Sequence, residues 1–183
     1  MTNQKPASNA LQTITLGAGC FWCIEAVLER IDGVVEVDSG YMGGTVENPT
    51  YDAVCSGATG HAEVVKVTFD PATLRLRELL DWFFLAHDPT TRNRQGNDYG
   101  TQYRSAIFYY DDAQKQVATE AMAAANEHYG GRVVTEISKA SAFFVAEAYH
   151  QDYFKNNPTQ AYCNAIIPPK LKKLGLDGKK PAK

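Results

Sequence analysis

Three features of the chain predict an α+β fold, a two-layer sandwich built on a mixed sheet. The apolar pattern switches repeatedly between a two-residue and a 3.6-residue period. The resulting order is strand, helix, strand, strand, helix, strand, helix, strand, which is related to the split β-α-β arrangement. Glycine, proline or an Asp-Gly type pair punctuates almost every junction. All 183 residues are expected in one domain, long enough to bury a core.

Each element has its own local signal. Residues 1–10 are polar and read as a disordered lead. Leu11 to Leu16 alternates as a strand, and Gly17-Ala18-Gly19 breaks it. From Cys20 to Ile31, apolar residues at 20, 24, 27, 28 and 31 form a helical stripe that Asp32-Gly33 ends. Val34 to Tyr41 alternates as a strand. Residues 45–60 are loop, with one helical turn near Tyr51 to Cys55. Ala62 to Phe69 is a strand ended by Asp70-Pro71, and Leu74 to His87 is a helix stopped by Asp88-Pro89. Residues 90–102 have no period, and such loops are often functional. Tyr103 to Tyr110 is a strand, Asp111 to Tyr129 a helix closed by Gly130-Gly131, and Val133 to Lys139 a strand. A short strand over Phe143 to Glu147 and a short helix over Ala148 to Asn156 follow. From Thr159 onward, with Pro168-Pro169 and several lysines, an irregular tail carrying Cys163 is expected.

The chemistry concentrates at Gly19-Cys20-Phe21-Trp22-Cys23, at a strand-to-helix junction. Backbone N–H groups of a first helical turn favour a thiolate, which makes Cys20 the candidate nucleophile. Phe21 and Trp22 supply an apolar wall, and Cys23 is near enough for disulfide chemistry. Glu63 stands at the mouth of the strongest strand. Half-buried there it would hold a raised pKa and donate a proton; on the other face it would be an ordinary surface carboxylate. Asp98, Tyr99 and Tyr103, with Tyr51, could surround a small polar substrate or simply pack as amphipathic side chains. His61 reads as a packing or surface histidine, and His87 and His128 as helix C-terminal groups.

Other functions are disfavoured. The net charge of -3 offers no general attraction to nucleic acid or anionic membrane. No apolar run reaches a membrane span. The polar start lacks a secretory core, so a cytoplasmic, monomeric enzyme is expected. One CxxC with Cys55 and Cys163 standing apart does not make a zinc site, and no metal or resident cofactor is expected. Cys55 reads as structural. A thioredoxin-like disulfide oxidoreductase using Cys20-x-x-Cys23 is the alternative enzyme. A redox sensor is a third reading, with no support beyond the reactive thiol.

GCFWCIEA, GYMGGTVENPTYDAVCSGATGHAE, FFLAHDPTTRNRQGNDYGTQYRSAI and KNNPTQAYC, in that order, resemble the A-type peptide methionine sulfoxide reductases from about residue 13 to 170. The resemblance implies a ferredoxin-like sandwich and reduction of methionine S-sulfoxide, free or in proteins. It implies that Cys20 attacks the sulfoxide sulfur, that Phe21 and Trp22 hold the S-methyl group, and that Glu63 protonates the oxygen. It further implies that Tyr51 and Tyr103 hydrogen-bond that oxygen and that Asp98 lies in the same polar pocket. A second thiol would convert the Cys20 sulfenic acid to a disulfide, which thioredoxin reduces. Cys163 is the favoured resolving thiol, through a tail able to fold over the site, and Cys23 the alternative.

Overall fold

A computed structural model describes residues 10–182; the expected lead lies, apart from Ala10, outside the described residues. The strands are β1 Gln12–Ala18, β2 Val34–Met42, β3 Ala62–Phe69, β4 Arg94–Gln95, β5 Asp98–Tyr99, β6 Ser105–Tyr109, β7 Glu136–Lys139 and β8 Phe144–Val145. The helices are α1 Phe21–Leu28, α2 Tyr51–Cys55, α3 Leu76–Ala86, α4 Asp112–His128, α5 Tyr153–Asn156 and α6 Ala161–Lys173. Six strands form one sheet in the order β7-β6-β1-β3-β2-β8. Within it β6-β1-β3-β2 is antiparallel throughout, and β7 adds to β6 in parallel. This mixed sheet, with its central four strands in the ferredoxin-like order, carries the expected sandwich.

The main core forms where α1 and α3 bury apolar stripes on one face of the sheet. Ile14 and Leu16 of β1, Val65, Val67 and Phe69 of β3, and Val27, Leu28, Leu80 and Phe83 of the helices meet there. Burying each such side chain contributes about 1.5–3 kcal/mol. A smaller cluster on the other face holds Met42, Val64, Ala106 and Phe108. Alternation along β3 therefore points residues 63, 65, 67 and 69 to the helix side, and that puts Glu63 at the edge of the core. Among the described residues no helix is long and apolar enough to cross a membrane.

Several elements depart from the sequence pattern. β1 runs through Gly17, whose missing Cβ admits the Arg104 carbonyl. The break falls instead at Gly19, where φ is 87° and a side chain would strike Gln95. The unpatterned loop folds as the β4-β5 hairpin, pairing Gln95 with Asp98.

The C-terminal segment corrects the expectation of an irregular tail: it is the helix α6. Cys163, Ile167 and Leu171, spaced four apart, are buried on its inner face. The Gln160 side chain accepts from the Cys163 N–H at 2.8 Å to start the helix. Pro168 and Pro169 remove two helical N–H donors, but packing of the buried stripe outweighs that loss.

Candidate active site

Cys20 is the N-cap of α1, and its carbonyl accepts from the N–H of Cys23 at 3.1 Å. The thiol is nearly buried, at 9% exposure. The helix start alone would favour a thiolate here, yet the Cys20 thiol is pushed up. Its main cause is Cys23, which takes the Cys20 S–H as a hydrogen bond; burial adds to it. Cys23 is correspondingly held down, first by that bond and further by Lys170, against burial and Asp98, which push it up. The two thiols are hydrogen-bonded, and Cys23 is the more acidic of the pair.

Glu63 lies against the same turn. Its Oε1 accepts from the Phe21 N–H at 3.3 Å, and its Oε2 is buried with no hydrogen-bond partner. Burial pushes the carboxyl up to about 8, so it is a neutral acid at neutral pH. Tyr51, first residue of α2, and Tyr103, in a single 3-10 turn over Thr101–Tyr103, both titrate high because of burial and then the neighbouring Glu63. Their hydroxyls remain donors. Three of the expected residues, Glu63, Tyr51 and Tyr103, are thus gathered around Cys20.

The Phe21 ring is fully buried, 5.8 Å from Tyr41 and 6.3 Å from Tyr51 between centroids. Trp22 is half-buried and fixed from two sides. Tyr153 stacks on its face at 3.8 Å, and its indole N–H donates to His150 Nδ1 at 2.9 Å. Residues 147–153 form this brace. Glu147 accepts from the Tyr41 hydroxyl at 3.1 Å and the Tyr51 N–H at 3.2 Å. Glu25 of α1, buried and pushed up to about 8 by that burial, accepts from the Asp152 N–H at 3.0 Å. Sequence reasoning passed over Glu147, His150 and Tyr153. Their only signal was an aromatic-rich run, AEAYHQDYF, at the end of a strand pattern.

Cys20 also faces a cleft of about 200 Å³ lined with Cys23, Asp98, Tyr162 and Lys170, and Asp98 is near enough to Glu63 to help push it up. Asp98, in β5, accepts a hydrogen bond from the Tyr162 hydroxyl. Cys163 follows Tyr162, is fully buried, and is pushed up to about 11 by burial and by Cys23. Cys23 is the neighbour that adds to that rise. Cys55, read from the sequence as structural, is exposed at the end of α2, and its sulfur accepts from the Tyr51 hydroxyl.

The remaining histidines are structural. His61 is buried, accepts from the Gly44 N–H at 2.9 Å and bonds the Val46 carbonyl at 2.7 Å. It closes the loop against Gly44, where a Cβ would meet the Thr59 carbonyl. His87 caps α3, bonded to the Phe83 carbonyl and to Ser105. Among the described residues no group of three His, Cys, Asp or Glu is placed to hold a metal ion.

Comparison with known proteins agrees with this geometry. Residues 12–180 match the family model described as peptide methionine sulfoxide reductase. A peptide methionine sulfoxide reductase MsrA of Sulfolobus acidocaldarius is 52% identical over 164 residues, covering 90% of this chain and 93% of the relative. Among solved structures, Mxr1 from Saccharomyces cerevisiae in reduced form superposes with a TM-score of 0.81 at 34% identity, over 98% of this chain and 95% of that one. The same yeast protein in complex with Trx2 gives a TM-score of 0.57 at 29% identity, over 81% of this chain and 87% of that one. From the family match along nearly its whole length, the chain belongs to the peptide methionine sulfoxide reductase family.

Proposed function

We propose that Cys20, Glu63, Tyr51 and Tyr103 reduce methionine S-sulfoxide to methionine in this chain. The observation that carries this reading is the unpartnered, buried Oε2 of a neutral Glu63 beside Cys20. A sulfoxide sulfur is a poor electrophile until its oxygen is protonated or strongly hydrogen-bonded. Glu63 donates that proton while the two phenols stabilise the oxygen. As Cys20 attacks sulfur, its own proton moves along the hydrogen bond to Cys23. The sulfurane collapses, methionine leaves with two added electrons, and the oxygen stays on Cys20 as a sulfenic acid. Phe21 and the braced Trp22 enclose the S-methyl group.

Cys23 is the first resolving thiol in this proposal, ahead of Cys163. It is already hydrogen-bonded to Cys20, whereas Cys163 sits in an ordered helix with Cys23 as its neighbour. The Cys23 sulfur attacks Cys20, a disulfide forms, and the shared proton leaves with the hydroxyl as water. Counting the proton given by Glu63, both hydrogens of that water are accounted for, and Glu63 regains its own from solvent. Cys163 then exchanges with Cys23, and thioredoxin reduces the disulfide it holds. The yeast relative in complex with Trx2 supports a thioredoxin partner.

The test is turnover of separated S and R methionine sulfoxide epimers with dithiothreitol, wild type beside Cys20→Ser. Turnover of the S epimer alone, lost in Cys20→Ser, is expected. Inactivity of the wild type on both epimers would overturn the proposal.

A further inference from the structure

Lys170 of α6 stands in two walls. It lines the cleft of about 200 Å³ at the cysteine pair, where its ammonium helps to hold the Cys23 thiol down. It also lines a separate, larger cleft of about 520 Å³ between the end of α3, the end of α4 and α6. There it adds to the burial that pushes His87 down to about 4. No passage between the clefts is needed for the two to communicate, because an ammonium between them acts on both through space.

Three cations meet in the larger cleft. Lys170 and Lys173 lie in the last turn of α6, and Arg132 arrives from the connection that follows α4. The dipole at the end of α6 favours the lysines, but it does not call for the arginine. Among the described residues, none of the three forms an ion pair with a carboxylate. The one acid in the wall is Asp88, whose Oδ1 already accepts from the N–H and the hydroxyl of Thr90. His87 is neutral at neutral pH, so the wall carries two net positive charges on a protein of net charge -3. Leu85, Pro169 and Leu174 give the same cleft an apolar side. Its volume is that of a small-molecule site.

We infer that this cleft binds a small dianion with an apolar body, of the phosphomonoester kind, and that the ligand, by engaging Lys170, slows the attack of Cys23 on oxidised Cys20. The phosphate sits on Arg132, Lys170 and Lys173, and the apolar body lies against Leu85 and Leu174. The ligand undergoes no reaction. Its charge offsets the field by which Lys170 favours the Cys23 thiolate. Less of that thiolate is then present at a given pH, and the thiolate is the nucleophile that resolves the sulfenic acid. The binding site stands by itself, whereas the regulation rests on Cys23 being the resolving thiol proposed above.

Phenyl phosphate, titrated into the reduced full chain at constant ionic strength, tests the site, with phenol as the uncharged control and backbone amide shifts as the readout. Saturable shifts at Thr90, Arg132 and Lys173 are expected with phenyl phosphate alone. Arg132→Gln/Lys173→Gln should weaken the titration about three- to ten-fold, the scale of two exposed charge pairs. Absence of shifts, or equal titrations in the two chains, would overturn the site. At saturation the midpoint of the pH titration of the Cys23 Cβ shift should move up. In Lys170→Gln that midpoint should start raised and not respond to the ligand. An unmoved midpoint in the wild type would break the link through Lys170. Disulfide formation after one turnover should slow about two- to five-fold with the ligand bound. An unchanged rate despite a raised midpoint would overturn Cys23 as the resolving thiol, and the regulation with it, while the amide shifts would still establish the site.

Discussion

On one flank of Cys20 stand a neutral carboxylic acid, two phenols and an indole; on the other stand the more acidic thiol of Cys23, an aspartate and a lysine. The first flank is dry and withholds charge: Glu63 keeps its proton because water is excluded, and one oxygen is left without a partner. The second is a partly open cleft, where Lys170 holds the Cys23 thiol down. A single cysteine can thereby serve two half-reactions. Oxygen removal needs a proton donor in low dielectric, whereas disulfide formation needs a thiolate beside the oxidised sulfur.

The largest way to break this contrast is Glu63→Gln. Single-turnover reduction of the S-sulfoxide is expected to fall about 10²- to 10³-fold, the scale of losing a positioned donor. In the wild type the rate should also fall as pH rises through about 8, because the acid loses the proton it donates. The variant should lack that fall. Stopped-flow rates between pH 6 and 9.5 check both, and an unchanged rate would remove Glu63 from its role.

The thiol flank should break differently. Cys23→Ser is expected to cut dithiothreitol-driven multiple turnover at least about ten-fold, since the Cys20 sulfenic acid has lost its neighbouring thiol. Cys163→Ser should stop turnover with thioredoxin only. Full thioredoxin activity in Cys163→Ser would show that the Cys20–Cys23 disulfide is reduced directly.

Smaller effects sharpen the oxygen side. Tyr51→Phe removes one of two donors and should cost about ten-fold in kcat, less than a loss of Glu63. Trp22→Ala should instead raise KM through lost apolar contact with the methyl group. A larger change in kcat than in KM for Trp22→Ala would argue against that division of labour.

The smallest effect concerns Glu25, which anchors the brace behind Trp22. Its folded-state pKa, about 8, lies above the unfolded value, so folding takes up a proton and stability falls as pH rises between about 4.5 and 8. Glu25→Gln keeps an acceptor for the Asp152 N–H and removes that slope. The variant should be more stable than wild type at pH 8 and indistinguishable at pH 4. Denaturant titrations at both values check it.

Much of this was legible from residue pattern. The alternation of Ala62 to Phe69 and the apolar stripe of Leu74 to His87 became β3 and α3 with ends shifted by a residue or two. Cys20 at a strand-to-helix junction, and Glu63, Tyr51 and Tyr103 through family resemblance, were named before any geometry. The tail was not legible as a helix, because Pro168-Pro169 is a local stop signal while the 163/167/171 stripe has value only against a core to bury it. Glu147, His150 and Tyr153 escaped notice because they serve Trp22 and Tyr51 from about a hundred residues away along the chain.

Local rules carry the order of the main strands and helices before the tail, a glycine-rich end to β1, and the residue types required for sulfoxide chemistry. Packing in three dimensions set the acidities. Which face of β3 holds Glu63, and hence whether it is a surface carboxylate or a buried acid, follows from register in the sheet. That Cys23 is more acidic than Cys20 follows first from the hydrogen bond between them and then from α6 delivering Lys170 to that sulfur. Both are matters of solvent exclusion and of charges brought close through space, and neither is encoded in spacing along the chain.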